Sequence, residues 1–197
     1  MLTFSLFIAS SCKQQKAEEP AAAETQTGTG DLAGLTLEDI PGSNVQYARQ
    51  ISPAGLIEIQ GFVENGKKVG QWIQYTPEGD IALINNYIDG MLEGPAFRMS
   101  FRNQVDLKST YSRNKLNGPW MTYKYGKITE KRNYKDDKLD GLVQTFNDRT
   151  FKLQQEVQYR DGLQHGFFKY YDEEGNVTLE YEYKNGEKIS GGIVEKK

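Results

Sequence analysis

The stretch that decides the fold is YRDGLQHGFFKYY, residues 159–171. It opens on a turn at Asp161-Gly162, two residues that tolerate the positive φ angles of a tight two-residue hairpin. A second glycine, Gly166, follows, and the stretch ends in an aromatic-rich segment of strand-forming residues. This order predicts a β-hairpin whose second strand begins after the turn.

The same pattern recurs along the chain, and each copy contributes one turn motif and one glycine. The turn motifs start at Val63, Tyr87, Tyr111, Tyr134, Tyr159 and Tyr183, and subtraction gives spacings of 24, 24, 23, 25 and 24 residues. The glycines that stand seven residues after these positions are Gly70, Gly94, Gly118, Gly141 and Gly166, and the last copy has Ser190 there. A period in this range is typical of a repeat array.

These repeats predict an all-β fold, an elongated antiparallel β-meander of tandem hairpins in one twisted sheet. We expect residues 45–197 to form the repeat domain, with a half-repeat before about six units. Residues 13–44 are predicted to be a flexible linker, with a short helical turn over residues 36–40 that a capping box would begin. The recurring glycine is predicted to leave room for an aromatic ring of the neighbouring unit.

The N-terminus has a different character from the repeats. An apolar segment from Leu2 to Ala9 is followed by Ser10-Ser11 and by Cys12, the only cysteine of the chain. This order resembles the end of a bacterial lipoprotein signal peptide. It predicts a signal peptide over residues 1–12, lipidation of Cys12 and a location in the bacterial cell envelope. The lipid would hold the protein at the outer membrane, on its periplasmic or its outer side.

Charge and reactive side chains argue against several classes of function. From residue 55 onward the chain carries 21 Lys+Arg and 21 Asp+Glu, so we expect no nucleic acid partner. His165 is the only histidine, and no nucleophile stands beside it in a distinctive motif. The carboxylates at Asp172-Glu173-Glu174 lack the spacing of a calcium loop. We therefore expect no catalytic residue, no metal and no cofactor.

Aromatic residues supply the candidate binding surface. One row consists of Trp72, Trp120 and Phe168, and strand alternation predicts that Tyr75, Tyr123 and Tyr171 lie on the opposite face. One face would be the core and the other a contact surface. Such rows suit both partner proteins and sugars, and they also suit simple packing between neighbouring strands. The sequence leaves binding and packing open.

The Tyr-x-Asn-Gly turn, the glycine and the aromatic pair resemble the MORN repeat, and more closely the bacterial variant known as YwqK-type antitoxin repeat proteins. The similarity covers about residues 55–191, with Asn114 and Asp137 where the repeat usually has glycine. It implies a repeat sheet used in protein contacts and, in some eukaryotic members, in lipid association. Three functions follow as expectations: a lipid-anchored scaffold for a protein partner, a cell-wall or carbohydrate-binding module, and a cytoplasmic antitoxin.

Overall fold

The structure is a computed structural model that describes residues 32–101 and 103–195. The predicted signal peptide, Cys12 and the linker as far as residue 31 lie outside the described residues.

The described residues form one antiparallel sheet of seventeen strands. Successive strands pair along the chain, so the prediction of an all-β meander of hairpins is confirmed. In chain order the strands are β1 Thr36–Asp39, β2 Val45–Ile51, β3 Ile57–Glu64, β4 Lys67–Tyr75, β5 Ile81–Ile88, β6 Met91–Leu92, β7 Gly94–Ser100, β8 Gln104–Ser112, β9 Lys115–Leu116, β10 Gly118–Lys124, β11 Lys127–Lys135, β12 Lys138–Leu139, β13 Gly141–Phe146, β14 Leu153–Arg160, β15 Leu163–Tyr171, β16 Val177–Lys184 and β17 Glu187–Ile193.

The sheet begins earlier than the sequence suggested. Residues 36–39 form β1, which pairs with β2 from Thr36 opposite Arg49 to Asp39 opposite Gln46. The predicted helical turn is therefore wrong, as is the start of the sheet at residue 45. One turn of helix offers few backbone hydrogen bonds for its nucleation cost, whereas the edge of β2 offers a complete ladder. An ion pair between Glu38 and Arg49 adds to this pairing.

The first turn of every unit confirms the predicted hairpin geometry. Both central residues have positive φ in all six turns, as in Asn65 at 51° and Gly66 at 72°. This is the pattern of a type I′ turn, whose twist matches that of the strands. Asn114 and Asp137 stand at φ 67° and 66° without being glycine. Their Oδ1 atoms accept hydrogen bonds of 2.7 Å from the backbone N–H of Leu92 and Leu116 in the unit before.

The recurring glycine has a different role from the one predicted. A Cβ atom on Gly70 or Gly94 would have no neighbour within 4 Å, and on Gly118 it would meet Thr110 at 3.5 Å. No aromatic ring occupies the space at these three positions, so the packing explanation is wrong. The glycines are required instead by positive φ, which is 64° at Gly70 and 110° at Gly118. Near Gly70 and Gly166 the pairing with the preceding strand shifts register.

The buried hydrophobic side chains lie on one side of the sheet, here called the core face. They are Ala48, Val63, Trp72, Tyr87, Leu92, Ala96, Trp120, Tyr134, Val143 and Val157. Leu32 and Leu35 pack against the first end of this cluster, although the sequence placed them in a flexible linker. The other side of the sheet is called the outer face.

Large and small residues alternate along one row of the core face. Equivalent positions in successive units hold Trp72, Ala96, Trp120, Val143 and Phe168. The residues opposite them in the next strand are Asn85, Ser109, Arg132, Val157 and Tyr181. The three large rings are therefore 48 residues apart by subtraction, which is two units.

Candidate functional site

Trp72, the first ring of the core-face row, is almost completely enclosed. It is 3% exposed, and its Nε1 donates a hydrogen bond of 3.1 Å to the carbonyl oxygen of Phe62. The Lys68 ammonium lies 4.4 Å from the ring centroid, and the Tyr87 ring stands edge-on at 6.3 Å. A Cβ on Gly61 would come within 2.5 Å of the indole, so the ring lies directly on that backbone. Trp72 offers no open face to a ligand.

Trp120 occupies an equivalent position two units later and is 7% exposed. The Arg132 guanidinium lies 4.6 Å from its ring centroid. Arg132 also donates to both carboxylate oxygens of Glu130, at 2.8 and 3.1 Å, and to the Tyr134 hydroxyl at 3.2 Å. Burial opposes the charge, but the bonds to Glu130 and Tyr134 outweigh it and raise the pKa of Arg132. The arginine therefore stays charged while it covers the indole.

Phe168 completes the row near the last strand of the sheet. It is half-buried and lies 5.8 Å from the ring of Tyr181, over which the Lys188 ammonium sits at 4.5 Å. Each large ring of the core face thus has a cation on it or on its neighbouring ring, an arrangement that stabilises stacked aromatic residues. The packing interpretation accounts for Trp72 and Trp120, and Phe168 follows the same arrangement with more exposure.

The tyrosines predicted for the opposite face lie on the outer face and are half-buried. The Tyr75 hydroxyl accepts a hydrogen bond of 2.6 Å from Gln60 Nε2, and Gln60 Oε1 accepts one of 2.5 Å from Tyr47. The Tyr123 hydroxyl lies 3.4 Å from Met121 Sδ. These contacts hold the Tyr75 ring against the neighbouring strand β3 and the Tyr123 ring against its own strand.

Tyr171 makes the strongest polar contact among these tyrosines. Its hydroxyl donates a hydrogen bond of 2.6 Å to Glu156 Oε2, and Gln144 Nε2 donates one of 2.8 Å to Glu156 Oε1. Burial, the bond to Glu156 and the charges of Glu156 and Glu180 raise the pKa of Tyr171 to about 12. The phenol is therefore neutral at any physiological pH.

The outer-face tyrosines belong to a longer feature that the sequence reasoning missed, here called the apolar stripe. It consists of six cross-strand pairs, one from each hairpin unit: Ile51–Ile57, Tyr75–Ile81, Met99–Val105, Tyr123–Ile128, Phe146–Leu153 and Tyr171–Val177. All twelve residues are half-buried except Ile51, which is 45% exposed. A sequence signal existed, because the second members of the pairs are spaced by 24, 24, 23, 25 and 24 residues by subtraction.

Charged residues border the apolar stripe. Lys108, Lys131 and Lys169 lie in the neighbouring row of the outer face, within 6.0 Å of the rings of Phe97, Phe146 and Phe167 respectively. Lys169 also pairs with Glu180 at 3.4 Å. An apolar band with a charged border is the composition expected of a protein contact surface.

The one histidine of the chain lies near the first turns of the sheet. His165 lies in strand β15, and its Nδ1 is 3.2 Å from Asn185 Oδ1 in the first turn of the next unit. Within residues 32–101 and 103–195, no three His, Cys, Asp or Glu side chains come together as a metal site. No helix in the same residues is long and apolar enough to cross a membrane.

No protein-family model matches the chain, and no curated protein is significantly similar to it.

Proposed function

We propose that this protein is a non-enzymatic MORN-like repeat scaffold that binds another protein through the apolar stripe. The observation that carries the proposal is the continuity of the stripe, because every hairpin contributes one pair to the same line. Partly exposed apolar lines of this length are uncommon on proteins that contact nothing.

The chemistry of the stripe favours a protein over a sugar. Strands lie about 4.8 Å apart, so six hairpins would extend the stripe to roughly 55 Å, the length of a long helix or an extended segment. Its aliphatic members, such as Ile81 and Val105, offer broad apolar contact but no flat ring for sugar stacking. Trp72 and Trp120 are buried, which further disfavours the carbohydrate alternative.

The proposed location is the bacterial cell envelope, with the lipid on Cys12 as the anchor. The support is the order of the apolar segment, the small residues and the cysteine in the sequence. Metabolic labelling with a fatty-acid analogue tests it, since the wild-type protein should take up label and Cys12→Ser should not. An unlabelled wild-type protein in the cytosol contradicts the anchor and favours the antitoxin alternative.

The stripe itself is tested by site-specific photo-crosslinking in cells. A photoreactive phenylalanine analogue at Tyr123 or Met99 should crosslink to one discrete protein. The same analogue at Ile88 is the matched control, because Ile88 is apolar and exposed but lies beside the first turns. Equal crosslinking from Ile88, or none from the stripe, contradicts the proposal. Binding of the purified protein to peptidoglycan favours a carbohydrate module instead.

A further inference from the structure

The second turns of the units lie at the opposite end of the strands from the Asn-Gly and Asp-Gly turns, and three consecutive ones carry an aromatic residue. These residues are Phe101, Tyr125 and Phe151, and the turns that hold them are here called the aromatic edge. Phe101 is 82% exposed and Tyr125 is 79% exposed, and Phe151 is half-buried. The second turns before and after them contain Pro77-Glu78-Gly79 and Glu173-Glu174-Gly175, with no aromatic residue.

Two of these aromatic residues have an unfavourable backbone conformation. Tyr125 has φ 54° and Phe151 has φ 58°, in the left-handed region that bulky residues rarely adopt. Most other turns fill such positions with Gly, Asn or Asp, as at Asn65 and Gly66, and Arg113 at φ 50° is an exception without an aromatic ring. A ring kept in strained backbone, and exposed to water at Tyr125, contributes little to folding. Such strain is more typical of a functional position.

The aromatic edge is also the basic part of this end of the sheet. In the sequence these three turns hold five cationic residues, Arg102, Lys124, Lys127, Arg149 and Lys152, against Asp148, which gives a net charge of +4, as 5 minus 1. Lys124 pairs with Asp148 at 2.8 Å, and the Lys127 ammonium lies 4.8 Å from the Phe151 ring.

The turns on either side of the aromatic edge are acidic. Glu78 and Asp80 place −2 on one side, and Asp172, Glu173 and Glu174 place −3 on the other. Contacts between turns fix this order, since Asn103 Nδ2 donates to Asp80 Oδ1 at 3.0 Å and Lys152 Nζ to the Glu173 carbonyl at 2.8 Å. The charge along this end of the sheet therefore runs −2, +4, −3.

We propose that the aromatic edge binds a short acidic segment of a partner protein that also carries apolar side chains. Hairpins about 10 Å apart place the three aromatic turns over roughly 20 Å, the length of about six extended residues. The acidic turns on both sides limit the ligand to this length, because a wider anionic surface would meet a total charge of −1 over the five turns. This argument favours a peptide segment over an anionic membrane. The aromatic edge adjoins the apolar stripe, because the pairs Met99–Val105, Tyr123–Ile128 and Phe146–Leu153 lie at the ends of the strands next to these three turns, but its residues are different ones.

The test uses a fluorescein-labelled peptide of two Glu-Leu-Glu repeats, which matches the length of about six residues, and a Lys-Leu-Lys peptide of the same length as the charge control. Fluorescence anisotropy with the full-length protein should show binding of the acidic peptide alone, weakened when salt is raised from about 50 to about 500 mM. Vesicles containing phosphatidylserine are tested in parallel, with zwitterionic vesicles as their control.

Tyr125→Asn and Phe151→Asn separate binding from folding. Asparagine tolerates the left-handed backbone, so both variants should be at least as stable as the wild type while each lowers peptide affinity about threefold to tenfold. Ile88→Thr removes an exposed apolar side chain at the other end of the strands and should leave affinity unchanged.

Three results overturn the proposal. They are no measurable binding of the acidic peptide, equal binding of the basic peptide, and affinity that survives both Asn substitutions together. Vesicle binding that Tyr125→Asn abolishes, in the absence of peptide binding, assigns the edge to a membrane and also overturns it. Loss of stripe crosslinking with peptide binding intact contradicts the scaffold proposal alone, so the two failures are distinguishable.

Discussion

Gly61 is the position where a single methyl group should do most damage to the sheet. A Cβ at residue 61 would come within 2.5 Å of the Trp72 indole, whereas carbon atoms in contact are normally about 3.5–4.0 Å apart. The ring must therefore move by more than about 1 Å in Gly61→Ala. That movement breaks the 3.1 Å bond from Nε1 to the Phe62 carbonyl and separates the ring from Lys68.

The expected loss is about 3 kcal/mol in the free energy of unfolding. Overpacking of a filled site costs about 1–3 kcal/mol, and the lost hydrogen bond costs about 1 kcal/mol. The upper limit is the cost of replacing a buried tryptophan by alanine, which is roughly 3–5 kcal/mol. Urea unfolding followed by circular dichroism measures the loss, and comparison of m-values between variants checks that the same region unfolds.

A double-mutant cycle with Trp72→Leu shows whether the ring is the cause. In that background Gly61→Ala should cost less than about 1 kcal/mol, which leaves a coupling energy of about 2 kcal/mol. Gly192→Ala is the matched control, because a Cβ there has no neighbour within 4 Å and its φ is ordinary. A Gly61→Ala protein as stable as Gly192→Ala, or a cost that persists without the indole, refutes the reasoning.

Three further substitutions test other parts of the sheet. Gly118→Val should lower the free energy of unfolding by about 1–3 kcal/mol, because valine does not tolerate φ 110°. Gly118→Asn should lower it by less. Equal urea midpoints for the two variants would contradict a backbone cause. Arg132→Leu should lower the free energy of unfolding by about 2 kcal/mol, because it leaves Glu130 unpaired. The double variant with Glu130→Leu should recover part of this loss. If it recovers nothing, the loss comes from packing on Trp120 instead. Tyr171 has a raised pKa of about 12, so its stabilising contribution is complete below its ordinary pKa of 10.0 and is lost as pH rises toward 12. The difference in melting temperature between wild type and Tyr171→Phe should therefore shrink over that range, and a constant difference argues against the bond to Glu156.

Most of the fold could be predicted because its signals are local. A pair such as Asp161-Gly162 is typical of a turn with positive φ, so the residue types alone predict the hairpin. The spacing of the copies then gives the number of hairpins. Strand β1 was missed because Thr36–Asp39 is short and polar, and only its partner β2 makes it a strand. The role of Gly118 was misread because a glycine in a sequence does not say whether it supplies space or a backbone angle.

The candidate site was predictable only in part. Strand alternation placed Trp72 and Tyr75 on opposite faces correctly. It could not reveal that Trp72 is buried, because its enclosure depends on Gly61 in another strand and on the Lys68 stem. The apolar stripe escaped notice because Ile, Val and Leu have no distinctive chemistry, and a bulge before each pair shifts the register that joins them.

The alternation of large and small residues on the core face has a consequence for how the chain can change in length. Removal of the copy that holds Ala96 would set Trp72 directly beside Trp120, which crowds the row. Removal of the copy that holds Trp120 would set Ala96 beside Val143, which leaves the row underpacked. Removal of two copies keeps the order intact. The inheritable module of this protein is therefore a tandem of hairpins, and relatives with shorter or longer sheets should differ by multiples of about 48 residues.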